Sequence, residues 1–465
     1  MIRIDVLPDD VLLEIFYFYV DINSSYGGRK AAEAWQSLVH VCRRWRSLVF
    51  RSPRRLNLRL YCTHETPARD TLHVWPALPL IIRCDMTATP TTDNIIAALG
   101  QSNYIFQVHL WIYMDRQLEE VLPAMQVPFP ELTDLQLLSF GETMPVTGIP
   151  DSFLGGSAPR LRMFILDGFP FPGLPKLLLS ASQLVYLRLF NIPHSGYISP
   201  EAVVALLSVL SSLEGLSLHF QSSRSRPDRE SWRPPPSKRS VIPALTSFHF
   251  KGAIEYLEDL VIAIDSPQLD DMQITFFNQI DIDTPRLAQF INRTPNLTKR
   301  DAYVLFDKDF AVVKLSPGTL RIIILCEEPR WQLSSIEQVC NSSLHPLSTV
   351  EDLSITHQSW KLVWKNDAIE NTLWLQFLLP FTAVKNLYLY REFAAGIAAT
   401  LQDLVGGRIM EVLPSLQNIF VEWLEPLGPF QEKIGHFVAA RQLLDHPITV
   451  SVWDSKVRPM PPRLS

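Results

Sequence analysis

The feature that most constrains this chain is a recurring pattern, L-x-x-L-x-L, in which two apolar residues flank a single residue of the other face. Side chains alternate across a strand, so each copy predicts a short strand with one face buried. The clearest copies are Leu132/Leu135/Leu137, Leu161/Phe164/Leu166, Leu184/Leu187/Leu189, Leu213/Leu216/Leu218, Leu245/Phe248/Phe250 and Leu269/Met272/Ile274. Weaker copies stand at Ile105/Val108/Leu110, Leu320/Ile323/Leu325, Val350/Leu353/Ile355, Val384/Leu387/Leu389 and Leu416/Ile419/Val421. From Leu161 onward the clear copies start 23, 29, 32 and 24 residues apart. A strand this short cannot bury its apolar face alone, so only stacking of successive units gives a continuous core. Stretches such as Glu201 to Leu210 and Ala394 to Leu404 fall between strands and read as helices.

This pattern resembles the leucine-rich repeat in a divergent form. The resemblance implies an α/β solenoid over residues 56–452, a curved parallel sheet with helices outside it. The Asn or Cys usual three residues after the third anchor is replaced by Phe140, Phe169, Ile192 and Phe277. With no asparagine ladder at that position, these apolar side chains are expected to pack the turns. The segment from Ile280 to Leu315 fits the pattern poorly and reads as an irregular repeat or an insertion. Residues 221–240, QSSRSRPDRESWRPPPSKRS, form a basic Ser/Arg/Pro stretch between two strands, expected to be an exposed loop. Residues 453–465 are a proline-rich tail.

The first 55 residues differ. Leu7-Pro8-Asp9-Asp10 has the marks of a helix start, with proline in the first turn and acids at the positive end of the dipole. Val11, Leu12, Ile15, Phe16 and Tyr19 then recur at helical spacing as one apolar face. A second stripe, Trp35, Leu38, Val39, Cys42, Trp45 and Val49, carries Arg43, Arg44 and Arg46 on its other side and ends at Pro53. On this spacing Cys42 is expected to be a buried packing thiol. Two or three helices cannot bury so many large side chains alone, so some apolar surface must be covered by something else.

Two blocks here, Leu7-Pro8-x-Asp10-Val11-Leu12-x-x-Ile15-Phe16 and Val41-Cys42-Arg43-Arg44-Trp45-Arg46-x-Leu48, resemble the F-box motif. Asp10 and Val11 replace the usual Glu and Ile, and the linker between the blocks is longer than typical. The resemblance implies docking onto a Skp-type adaptor and, through it, a cullin scaffold. It places Leu7, Pro8, Val11, Leu12, Ile15, Phe16, Val39, Cys42, Trp45 and Leu48 at the adaptor interface. An F-box ahead of divergent leucine-rich repeats is similar to the arrangement of fungal F-box proteins.

The remaining chemistry is sparse. No phosphate-cradling glycine loop, nucleophile elbow or zinc helix is present, so neither catalytic nor metal-binding residues are assigned, and no enzyme or cofactor is expected. Acid pairs such as Asp270-Asp271 and Glu327-Glu328 read as solvated. Five cysteines, none in C-x-x-C spacing, suit reduced thiols and a cytoplasmic or nuclear setting. The net charge of −6 gives no reason to expect nucleic-acid binding. The most apolar stretch, Leu373 to Leu379, is too short to span a bilayer.

The function expected is that of a substrate-recognition subunit of a Skp-cullin-F-box ubiquitin ligase, holding its target near a conjugating enzyme and so raising effective concentration. A non-degradative scaffold using the same repeats is the alternative. Residues between and just after the last two anchors of each unit face away from the core. They give His109, Trp111, Arg188, Phe190, His219, His249, Tyr388, Tyr390 and Phe420 as candidates for binding a target protein on the concave face.

Overall fold

A computed structural model describes residues 7–25, 34–64, 68–75, 78–85, 92–140, 148–222, 239–277, 282–297, 299–317, 319–342, 344–357, 371–405, 407–422 and 429–453. The basic stretch, apart from its edges, and the proline-rich tail beyond Trp453 lie outside these residues. The chain forms two compact units, Met1–Ile198 with Val209–Leu213, and Ser199–Ser208 with Glu214–Ser465.

Among the described residues the first unit opens with the helices α1 (Asp9–Ser25), α2 (Trp35–Val39) and α3 (Arg43–Arg51). The carbonyl of Pro8 accepts the first helical bond, from Leu12, and Asp9 and Asp10 occupy the first turn of α1. The second apolar stripe is not one helix: the chain breaks at His40–Cys42, where Cys42 is extended and caps α3, its Sγ accepting the Trp45 amide at 3.5 Å. Cys42 is therefore exposed, a correction to the buried packing thiol expected from its spacing. The inner side of the module holds Leu12, Phe16, Val39 and Val49, with the Phe16 and Trp45 rings 4.6 Å apart. Trp35 is fully buried, donates to the Arg59 carbonyl at 2.9 Å and packs edge-on against Trp75, so the helices are tied to the chain that follows.

Among the described residues of this unit six strands follow: β1 (Leu60–Cys62), β2 (Leu80–Asp85), β3 (Ile105–Ile112), β4 (Asp134–Ser139), β5 (Met163–Asp167) and β6 (Tyr186–Ile192). Each pairs in parallel with its predecessor. The repeat anchors expected from Ile105 to Leu189 are all buried. Of the apolar residues expected to pack the turns here, Phe169 and Ile192 are buried but Phe140 is 53% exposed, its ring stacked on Tyr113.

The second unit contains β7 (Gly215–Phe220), β8 (Ser240–Val241), β9 (Ser247–Gly252), β10 (Ile264–Asp265), β11 (Asp271–Phe276), β12 (Lys299–Phe306), β13 (Phe310–Pro317), β14 (Thr319–Leu325), β15 (Asp352–His357), β16 (Asn386–Leu389), β17 (Asn418–Glu422) and β18 (Thr449–Trp453). The main sheet here runs β7-β9-β11-β14-β13-β12-β15-β16-β17-β18, and β8 pairs with β10 aside from it. Pairing is parallel throughout except for β13, which is antiparallel to both neighbours. The segment that fitted the repeat poorly thus holds the helix Pro285–Asn292 and then two arms of an antiparallel insertion.

The insertion corrects one repeat. Leu320, Ile322 and Ile324 of β14 face the main core, whereas the expected anchors Ile323 and Leu325 lie on the other face. There they join Leu305, Val312, Tyr303 and Phe310 in a separate apolar cluster. A one-residue slip in frame flips every side chain of a strand, and the run Leu320–Leu325 is apolar at five of its six positions, so its pattern could not fix the frame.

Helices complete the second unit, and buried polar groups join them. Glu258 accepts the backbone amides of Arg286 and Leu287 at 3.0 and 2.8 Å, capping the helix Pro285–Asn292 from its neighbour. Arg441, fully buried, donates to the carbonyls of Pro414 and Leu416 at 2.9 and 3.3 Å and closes the preceding loop.

Candidate functional site

The sheet face turned away from the helical core carries the side chains that lie between anchors, and strand register sets them in rows. In the first unit one row reads Arg83, His109, Gln136, Ile165 and Arg188; the next reads Asp85, Trp111, Leu138, Asp167 and Phe190. Arg188 is exposed, its guanidinium 5.8 Å from the Tyr186 ring, while Trp111 and Phe190 are half-buried. His109 departs from expectation: only 8% exposed, it is buried between its neighbours and unavailable to a partner as a surface side chain. Its Nε2 has no hydrogen-bond partner. Burial, aided by the Arg83 charge, pushes the imidazole down to about 4, so it is neutral at ordinary pH.

In the second unit the corresponding row reads Ser217, His249, Gln273, Arg321, Lys314, Tyr303, Ser354, Tyr388, Phe420 and Ser451. Two regions of this face differ in character. Around β9, His249 Nε2 lies 3.0 Å from Asp271 Oδ2 and 3.3 Å from Ser247 Oγ, which itself donates to the same carboxylate oxygen at 3.2 Å. Asp271 is accordingly engaged and half-buried, its carboxyl held below the usual range by His249, a correction to the solvated pair expected. The three residues are not a proton relay. Acid and hydroxyl both meet the same ring nitrogen, whereas a relay needs one at each nitrogen. His219 nearby is pushed down to about 4 by burial, with His249 and Lys251 adding to the effect.

Around β16 to β18 the face is aromatic. Tyr388 and Phe420 stack with centroids 4.7 Å apart, and Trp453 meets the edges of Tyr388 and Tyr390 at 5.8 and 6.0 Å. His357 packs on Tyr390 and lies 3.0 Å from the Glu392 carboxylate. Beside this cluster runs a ladder that sequence reasoning missed. Asn386 donates to Asp352 at 2.7 Å, Asn418 to Asn386 at 2.8 Å, and Thr449 to Asn418 at 2.5 Å. The asparagines stand just before the strand anchors, not after them, and so fell outside the position inspected. Asp352, Asn386 and Asn418 directly ahead of Leu353, Leu387 and Ile419 were the available signal.

The residues expected at an adaptor interface divide into three sets. Leu12, Phe16, Val39 and Leu48 are buried and build the helical module itself; Leu7 and Trp45 are half-buried; Pro8 and Cys42 are exposed. Helix α1 has a second apolar side, where the single face was expected. Val11, Ile15, Phe18 and Tyr19 are 42%, 42%, 58% and 41% exposed and fall at i, i+4, i+7 and i+8. Val41, 58% exposed, adds to the exposed apolar residues of the module.

No protein-family model and no curated protein matches this chain. Among solved structures it is similar to the leucine-rich repeat-containing protein LegL7 from Legionella pneumophila, at 12% identity over 82% of this chain and 97% of that one, with a TM-score of 0.28. That likeness is too loose to carry the reading, which rests on the strand registers above. The mainly parallel sheet thus presents a side-chain face of aromatics and mixed charge, residue types that are enriched at protein interfaces. Among the described residues no group of three or more His, Cys, Asp or Glu is placed to hold a metal, and no helix is long and apolar enough to cross a membrane.

Proposed function

We propose that this chain is an adaptor whose N-terminal helices dock a Skp-type protein as an F-box does, while its repeats hold a target for ubiquitin transfer by a cullin-based ligase. The observation that carries the docking half is the outer stripe of α1: four large apolar side chains at helical spacing, exposed beside the motif residues that resemble an F-box. Scattered exposed apolar residues are ordinary, but a continuous stripe on one short helix is the form of a helix awaiting a partner. The chain supplies recognition only, and the acceleration comes from holding target and conjugating enzyme together.

The test is co-purification of the full chain with a Skp-type adaptor and cullin. Ile15→Asp and Phe18→Asp place a charge on the stripe while leaving the buried side of α1 untouched. Loss of an interface anchor costs about 2 kcal/mol or more, so both variants should lose the adaptor and keep the wild-type melting curve. Retention of the adaptor by both would sink the F-box reading. In the wild-type complex, alkylation of the exposed Cys42 thiol should slow on adaptor binding, since the resemblance puts it within the footprint.

A further inference from the structure

The antiparallel insertion sets two cations side by side. Arg321 on β14 and Lys314 on β13 are directly opposed in register, with Gln273 of β11 beyond the arginine and Tyr303 of β12 beyond the lysine. Like charges directly opposed across strands destabilise a sheet. Among the described residues neither cation has a hydrogen-bond or ion-pair partner, and the arginine Nε is buried without an acceptor. The carboxylates one row away are hydrogen-bonded elsewhere, Asp271 to His249 and Ser247 and Asp301 to Ser316 Oγ at 3.3 Å, although the Lys314 charge also acts on Asp271 from a distance. On the other side of the pair lies the apolar row Ile323, Val312 and Leu305, 9%, 0% and 3% exposed. Such a wall lowers the local dielectric and strengthens attraction to an arriving anion. Burial lowers the guanidinium's affinity for its proton, and no neighbouring carboxylate counters this.

We infer that Arg321 and Lys314 form the anchoring point for an acidic side chain, Asp or Glu, on a peptide segment of the protein held by the repeats. A carboxylate placed between them accepts from both, relieves their repulsion and supplies the acceptor that the buried Nε lacks. Gln273 and Tyr303 bound the row on either side. The aromatic cluster around Tyr388 lies farther along the same face, so the acid would set position while aromatic contacts add area. This inference deepens the reading of the repeats as a protein-binding surface and is independent of whether the N-terminal helices dock an adaptor.

Fluorescence anisotropy of the full chain with a short fluorescein-labelled peptide of alternating Glu and Gly tests it. The peptide should bind, more weakly as salt rises, and a Lys-for-Glu counterpart should not. Arg321→Gln with Lys314→Gln should weaken binding about tenfold or more, whereas Lys176→Gln, an exposed lysine elsewhere, should leave it unchanged. Lys314→Glu is the second variant: it gives Arg321 an internal partner, so it should melt higher than wild type and still lose the peptide. Undiminished binding by either cation variant, or equal loss from Lys176→Gln, overturns the assignment. Preference for a phosphoserine peptide through the same two residues would replace the carboxylate by a phosphate and overturn it as stated. Failure of the wild-type chain to bind the peptide, with adaptor docking intact, removes this inference alone; the converse removes the F-box reading alone.

Discussion

The ring of Tyr388 lies nearly flat on that of Phe420, their centroids 4.7 Å apart and their planes 11° from parallel. The two come from adjacent strands and sit opposite each other in register, so the stack is a direct product of repeat spacing. Aromatic pairs of this kind contribute about 1 kcal/mol beyond the area they bury. A double-mutant cycle of Tyr388→Ala and Phe420→Ala in urea should therefore show a coupling of about 1 kcal/mol. If the two losses simply add, the stack is incidental. Where partner capture is also measured, either single change should reduce it.

Arg441 supports the fold in a different way. Its guanidinium reaches the carbonyls of Pro414 and Leu416 from a site with no exposed surface. Arg441→Met would keep much of the volume but strand those carbonyls, at a cost of about 3 kcal/mol. Arg441→Lys should recover only part of this, since a single ammonium cannot span the carbonyls that a planar fork reaches. Urea midpoints of the two variants check both statements.

Acid should weaken the protein through two histidines. His109 and His219 bind a proton only near about 4 in the folded state, against an ordinary value of 6.5. Between these values the unfolded chain takes up protons that the folded chain does not. The stability they contribute is thus whole above the ordinary value and is lost as pH falls from there toward about 4. For His109, the more buried, the loss from about pH 7 to about pH 5 is about 2 kcal/mol. His109→Gln should flatten that part of the pH profile of unfolding. An unchanged slope would show that the imidazole is protonated in place.

How far the sequence carried this reading depended on how each repeat is punctuated. From Ile105 to Ile274 the last two anchors of each copy alternate with a residue that is polar in all but one case, Ile165, and both fell on the strand expected. Beyond Ile280 apolar residues fill both faces of β12 to β14, and period-two reasoning had nothing to grip. The turns were nonetheless written there: Asp307-Lys308-Asp309 and Ser316-Pro317-Gly318-Thr319 separate the three apolar runs, and such clusters mark hairpins. On the outer face of the sheet, the outward positions were legible from alternation alone. That His109 is buried while Arg188 is exposed was not, because it depends on the size of neighbours contributed by adjacent strands. The same holds for Asp271, whose engagement requires Ser247 and His249 from the preceding strand. At the N-terminus the helices were plain, but helical spacing alone gave one apolar face where α1 has two.

The ladder of Asp352, Asn386, Asn418 and Thr449 has a sense of direction. Every rung donates toward the N-terminal neighbour, from the threonine hydroxyl through two amides to a carboxylate. When ionised, an aspartate can only accept, so it terminates the series; an amide can pass the bond on, since it both gives and takes. The repeats of this region are therefore not interchangeable parts. Duplicating the β15 unit would set two carboxylates side by side, acceptor against acceptor, in the middle of the array. The order of repeats is thus encoded locally, by which polar residue each strand carries just ahead of its first anchor, in addition to the stacking of the core.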